Sequence, residues 1–321
     1  MVQATKNAVK AAYSGALWHS GALAAWLRVR PGRRWPWILN YHHIAPAAFE
    51  DHLRCLVRRY HIVTLDACVA ALTGGEPLPA NAVAITFDDG YQQVYTELFP
   101  LLAKYEAPAT VFVPTTPVDT GQPLWFNTVK TWVHTTPSAS LRLGDREFPL
   151  RGHREAAYVA VMRRLNAQSI AARDAMLAEL LKGVELPPDR MLRYQPLNWD
   201  QMRAMQGLVT FGGHTRTHPW LSRLSRAEAE DEILGSKARL EEMLGTPVRH
   251  FAYPFGSPDS FTDETVEILK SGGFVSAATT SRGPCRPGVS PFALPRILFD
   301  GSVGGKAVAA RLSGLWLFLS T

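Results

Sequence analysis

The feature that most restricts the architecture of this chain is a repeated alternation of short apolar runs with helical patterns. Runs suited to strands occur at 37–44, 61–65, 82–88, 108–114, 208–213, 250–255, 273–279 and 293–299. Helical patterns lie between them at 49–58, 66–73, 92–105, 198–206, 225–244 and 261–271. Such alternation implies parallel strands joined by helical crossovers, and so many units favour a barrel over two packed layers. One helix is delimited by its own sequence: Ser225 with Glu228 forms a capping box, and Gly245 stops it. Residues 115–197 break the pattern with a Pro- and Thr-rich start, the aromatics Trp125, Phe126 and Trp132, and a long helix expected near 154–182. Because they follow the strand at 108–114, they are expected on the rim as a lid or substrate wall. Their aromatics form either a small local core or a sugar-stacking surface.

The run at 82–88 ends in two adjacent carboxylates and a glycine, Asp88-Asp89-Gly90. An unpaired buried carboxylate is very costly, so this is either a solvated turn or a site that offsets the charge. Downstream, Gly212-Gly213-His214-Thr215-Arg216-Thr217-His218-Pro219 places two histidines four residues apart. Two neutral imidazoles and one carboxylate suit a divalent metal with open positions. This is not the zinc-protease helix motif, because no Glu follows the first His. An isolated HxxxH also arises often by chance.

Taken together, Thr86-Phe87-Asp88-Asp89-Gly90 and His214-Thr215-Arg216-Thr217-His218-Pro219 resemble the two signature motifs of the polysaccharide deacetylase (NodB-type, carbohydrate esterase) family. Phe251-Ala252-Tyr253-Pro254-Phe255-Gly256 resembles the third motif in the form found in exopolysaccharide, poly-N-acetylglucosamine-type deacetylases. Leu294-Pro295-Arg296-Ile297 resembles the closing segment of that subgroup, and Tyr41-His42-His43-Ile44 its opening strand. The resemblance runs from about residue 36 to about residue 300. It implies an α/β fold, a distorted (β/α) barrel of about seven strands with a rim insertion. It also implies a metal-dependent hydrolase that removes N-acetyl groups from sugars of a polysaccharide or glycan.

Carried over residue by residue, the resemblance makes Asp89, His214 and His218 the ligands of a divalent metal, with Zn2+ expected. Asp88 becomes the general base, and the backbone N–H of Phe255 a donor to the carbonyl oxygen, with Tyr253 of the same motif as a further substrate contact; Trp125 is expected to touch substrate as one of the rim aromatics. Two positions depart from the common pattern. Ala252 stands where an arginine usually orients the catalytic Asp, leaving Arg296 as first candidate for that task and Arg249 as second. The family usually takes the proton donor for the leaving amine from a C-terminal histidine, but none follows His250 here, which leaves His42 and His43 as the strand-borne alternatives. Positions 38, 40 and 42 share one face of a strand and 39, 41 and 43 the other. Periodicity leaves the choice open, and the resemblance favours His42.

Charge is unevenly distributed. Residues 1–36 hold Lys6, Lys10, Arg28, Arg30, Arg33 and Arg34 without an acid, equal to the whole formal excess of +6. Lys306 and Arg311 follow Asp300, again without an acid, and the chain then turns apolar at Gly314-Leu315-Trp316-Leu317-Phe318-Leu319. The remaining centre is slightly acidic, which argues against nucleic acid as main partner. Basic ends carrying Trp18, Trp26 and Trp316 suit peripheral contact with an anionic membrane, or docking of both ends on the domain. The expected organisation is a basic amphipathic segment at 1–36, a deacetylase domain at 37–300 with an insertion at 115–197, and a basic, apolar tail at 301–321. Cys55, Cys68 and Cys285 are too few and scattered for a disulfide framework. No eighteen-residue apolar stretch exists, and Ser14, His19 and Ser20 weaken any secretory signal. The expected location is cytoplasmic or peripheral at a membrane surface.

Three other functions fit less well. An inverting glycosidase needs carboxyls roughly 6.5–9.5 Å apart and has no use for the paired histidines. A catalytically impaired glycan-binding barrel at the membrane remains open because of Ala252. A small-amide hydrolase on the same barrel is the third.

Overall fold

A single sheet of eight parallel strands organises the structure, a computed structural model that describes residues 35–312. In chain order the first part comprises β1 (Trp37–Tyr41), α1 (Pro46–Arg59), β2 (His61–Ile62), α2 (Leu65–Leu72), β3 (Ala82–Phe87), α3 (Phe99–Lys104) and β4 (Ala109–Val113). The insertion follows with α4 (Thr115–Thr120), α5 (Trp125–Thr135), β5 (Ser140–Leu143), β6 (Arg146–Pro149), α6 (Arg154–Asn166), α7 (Ile170–Leu180) and α8 (Pro188–Met191). The sheet then resumes with α9 (Trp199–Met205), β7 (Val209–Gly213), α10 (Arg226–Leu244), β8 (His250–Ala252), α11 (Asp263–Ser271), β9 (Ser276–Ala278), β10 (Ile297–Leu298) and α12 (Gly305–Leu312). The order across the sheet is β10-β1-β3-β4-β7-β8-β9, with β2 beside β3. Each of the eight apolar runs contains one of these strands.

The sheet curls into the expected distorted barrel, and one short segment completes the ring. Leu294 bridges to Ala278 of β9, while Ile297 and Leu298 pair with Leu39 and Asn40 of β1. Strand parity then sorts the side chains. Leu39, Val83, Ile85, Val111 and Phe251 face the helices in the main core. Ile38, Ala84, Phe112, Ala252 and Ala278 belong to an inner cluster together with Leu65, Cys68 and Val69 of α2. Gly212 is required here, because a Cβ at that position would lie 2.5 Å from the Phe112 ring.

The insertion has its own small core of Val129, Val133, Leu141, Phe148, Val161 and Leu165. The helix expected over 154–182 is two helices. Ser169 breaks it by capping α7, its hydroxyl accepting the Ala172 N–H. A hairpin, β5–β6, precedes them and was not expected from periodicity. Residues 305–312 are not a free tail: α12 packs on α1, with Val308 and Leu312 fully buried. Gly305 N–H donates to Asp51 Oδ2 at 2.6 Å and His52 Nε2 to the Val303 carbonyl at 2.7 Å. Residues 1–34, which hold every basic residue of the N-terminal segment, and residues 313–321, the apolar end of the tail, lie outside the described residues. No helix among the described residues is long and apolar enough to cross a membrane.

Candidate active site

Parallel strands gather their C-terminal ends on one rim, and the motif residues follow those ends directly. His42 and His43 leave β1, Asp88 and Asp89 leave β3, His214 leaves β7, and Phe255 lies three residues beyond β8. Among the described residues, four of the six non-glycine residues with positive φ fall here: Asp89 (69°), Thr215 (66°), His218 (58°) and Phe255 (62°). Such backbone strain is uncommon for these residue types and concentrates where geometry is over-determined for a task.

Asp89, His214 and His218 form a buried cluster whose ligand-capable atoms all lie within 4.8 Å of one another. Asp89 Oδ1 is 3.6 Å from the Nε2 of each histidine. Metal bonds of ~2.0–2.2 Å place adjacent ligand atoms roughly 3–3.5 Å apart, so the cluster fits a divalent cation with little adjustment. His214 Nδ1 donates to the Ala252 carbonyl at 2.6 Å, which fixes the tautomer and turns the Nε2 lone pair inward. Burial and the neighbouring His214 push the His218 imidazole down to about 3, leaving it neutral at pH 7 and able to ligate. Burial works against ionisation of Asp89, but the surrounding imidazoles, His214 first, hold its carboxyl well below the usual range.

Asp88 has different partners. Arg296 holds it with two parallel bonds, Nη1 to Oδ1 at 2.7 Å and Nη2 to Oδ2 at 2.8 Å. Asn40 Nδ2 adds a third to Oδ2 at 2.9 Å. Burial opposes the charge, yet Arg296, His214 and His42 together lower the Asp88 pKa. Arg296 is 1% exposed and also donates to the Thr279 carbonyl and Thr86 Oγ1. Since Leu39 registers with Ile297, Arg296 starts level with Ile38, deep in the barrel, and its side chain runs up the interior towards Asp88. The small side chains of Ala84, Ala252 and Ala278 line that interior. Arg249, the second candidate for this task, lies at the other end of β8 and pairs with Asp66 at 3.2 Å.

The two β1 histidines diverge. His42 brings Nε2 to 3.8 Å from Asp88 Oδ2 while its side chain stays 38% exposed. His43 stacks on Tyr91 at 3.9 Å, and burial together with the Arg193 charge pushes its pKa down to about 4. Phe255 lies against His218 (4.9 Å) and Trp220 (4.8 Å), and Phe126 covers His218 from another side at 4.9 Å.

Two expected substrate contacts are corrected. Tyr253 is 1% exposed, stacks on Phe261 at 3.8 Å and donates its hydroxyl to the Phe292 carbonyl, so it belongs to the core. Trp125 stands behind the metal cluster: its indole N–H reaches the His218 carbonyl at 3.4 Å and Arg173 covers its ring. Asn40 and Trp220 went unnoticed in the sequence, and Phe126 stood out only as one of the rim aromatics. Only Asn40, a polar residue inside an apolar strand, carried a signal that could have found it. Two hollows open beside the cluster. One of about 560 Å3 lies between Trp220 and Phe255 and the α6 residues Tyr158 and Met162. The other, about 610 Å3, borders His43, Gln93, Leu192 and Arg193.

Over 86 residues the chain is 37% identical to the poly-beta-1,6-N-acetyl-D-glucosamine N-deacetylase of Escherichia coli K12, a match spanning 27% of this chain and 11% of that protein. The fold is shared with the Streptococcus pyogenes deacetylase PplD, solved in complex with acetate, at 18% identity and a TM-score of 0.59, covering 88% of this chain and 99% of that one. It is also shared with IcaB from Ammonifex degensii, at 22% identity and a TM-score of 0.57, covering 87% and 97%. The sequence model of the family described as polysaccharide deacetylase matches residues 75–277, more than half of the chain. On that match, which contains the Asp pair, both histidines and the Phe255 turn, the chain belongs to the polysaccharide deacetylase family.

Proposed function

We propose that this protein is a metal-dependent hydrolase that removes N-acetyl groups from the N-acetylated sugars of a glycan. The observation that carries the reading is the buried Asp89, His214 and His218 cluster beside an Asp88 already oriented by Arg296. Asp89, His214 and His218 would hold the metal, and the mixed N/O set favours Zn2+. When bound, such an ion activates water and polarises the amide carbonyl.

The remaining work falls to side chains and backbone. A carboxylate offers about four acceptor positions, and Arg296 and Asn40 take three on Asp88. One is left to receive the proton of the attacking water. The backbone N–H of Phe255, at its positive-φ turn, donates to the carbonyl oxygen as negative charge develops there. His42, open to solvent and within 3.8 Å of Asp88, protonates the departing amine and is recharged from bulk water. His43, neutral at pH 7, is poorly suited to that task. The hollows on either side of the cluster, both walled by the insertion, suit sugar units flanking the reacting one.

An inverting glycosidase needs one protonated carboxyl, and here Asp88 and Asp89 are both held ionised. Acetate release from N-acetylglucosamine oligomers, with and without chelator, tests the proposal. Chelator-sensitive release supports it; intact oligomers across a broad glycan panel overturn it.

A further inference from the structure

Arginine is almost never fully buried unless paired. Arg173, on helix α7 of the insertion, is only 4% exposed. Its guanidinium meets the exposed Asp174 at 2.8 Å and otherwise faces Trp125 of α5 and the turn that carries the second metal-site histidine. Nη2 lies 3.4 Å from Thr217 Oγ1, and the guanidinium carbon sits 5.0 Å over the Trp125 ring. Trp125 in turn donates its indole N–H to the His218 carbonyl.

Glu232 of α10, 2% exposed, holds the same turn from the other side. It accepts the Arg216 N–H at 2.8 Å, the Thr217 N–H at 2.9 Å and the Thr217 hydroxyl at 2.7 Å. The Thr217 hydroxyl thus donates its single proton to an anion and accepts from a cation. Burial raises the Glu232 pKa, and those three bonds with the Arg173 charge work to keep it ionised. Between them the backbone is strained at Thr215 and His218, the flanking residues with positive φ. Strain of this kind persists only when the surroundings enforce it.

We propose that Arg173 is a positioning residue. With Trp125 and Glu232 it fixes the turn that presents His218, so that the rim insertion sets the metal affinity of the barrel. This rests on the reading of Asp89, His214 and His218 as metal ligands, and it adds a task for the insertion besides walling the hollows.

The test measures Zn2+ affinity of the full chain by chelator competition, and the absorption spectrum of the Co2+ form as a report on ligand geometry. Removing an outer partner of a metal ligand typically weakens metal binding ~10–100-fold, so Arg173→Met should lose roughly tenfold and change the Co2+ spectrum. Added guanidinium should restore part of the affinity in Arg173→Ala. Val161→Ala, which thins the insertion core without touching the turn, should lower thermal stability yet leave Zn2+ affinity unchanged. If Arg173→Met does not fold, Thr217→Val, which removes only the linking hydroxyl, decides and should shift affinity in the same direction. Wild-type affinity and spectrum in Arg173→Met, or in Thr217→Val where that variant decides, overturn the proposal. So does a loss in Val161→Ala equal to that in Arg173→Met. A wild-type protein that binds no metal overturns the underlying reading instead, and is seen before any variant is made.

Discussion

Asp88 and Asp89 are neighbours in the chain with different electrostatic partners, and substitution should separate their tasks. Asp89→Ala, His214→Ala and His218→Ala are each expected to lower the metal content of purified protein, because each removes one member of the cluster. Elemental analysis checks this, and full occupancy in all three rejects the assignment. Asp88→Asn should retain the metal yet lose ~10²–10⁴-fold in kcat, the usual contribution of a general base. Normal turnover would reduce Asp88 to a structural role. The β1 histidines give a third comparison. His42→Ala is expected to cut kcat strongly with metal retained, whereas His43→Ala should affect it little, since His43 is neutral and packed on Tyr91. The reverse pattern would exchange their roles.

At the scale of elements, a glycine two residues before the first metal-site histidine links the sheet to the site. Gly212 of β7 packs against Phe112, and a Cβ would also meet the His250 carbonyl at 2.9 Å. Gly212→Ala should therefore destabilise the fold by ~1–3 kcal/mol, the usual range for overpacking a tight core. A denaturant midpoint equal to wild type would show that β7 can shift. The strands were legible in the sequence because their apolar runs are continuous, and the metal cluster because its residues sit in two short segments. Asn40 and Arg296 come together from opposite ends of the domain, so their bonds to Asp88 depend on β1 and β10 being neighbours, which no local pattern encodes. Tyr253 was misplaced although parity held the answer: it shares the outward face with Phe251, whose partners are core residues. The hairpin β5–β6 and the break at Ser169 escaped because the insertion follows no regular alternation.

For the whole molecule, the acid-free basic segment at 1–36 is expected to draw the protein to anionic vesicles. Cosedimentation should fall when residues 1–35 are deleted and when salt is raised through the range where screening shortens to a few ångströms. Binding insensitive to both would discard the membrane contact. The barrel itself has a consequence for the order in which it is made. Asp88 is buried, and its guanidinium partner stands 208 residues later in the segment that also completes the ring. A chain emerging from the ribosome therefore carries this carboxylate without its guanidinium partner until nearly all of the domain has been synthesised. Contacts of such long range form late and slowly. The reactive centre is thus assembled by the same event that seals the ring, and a chain stopped short of residue 296 has neither.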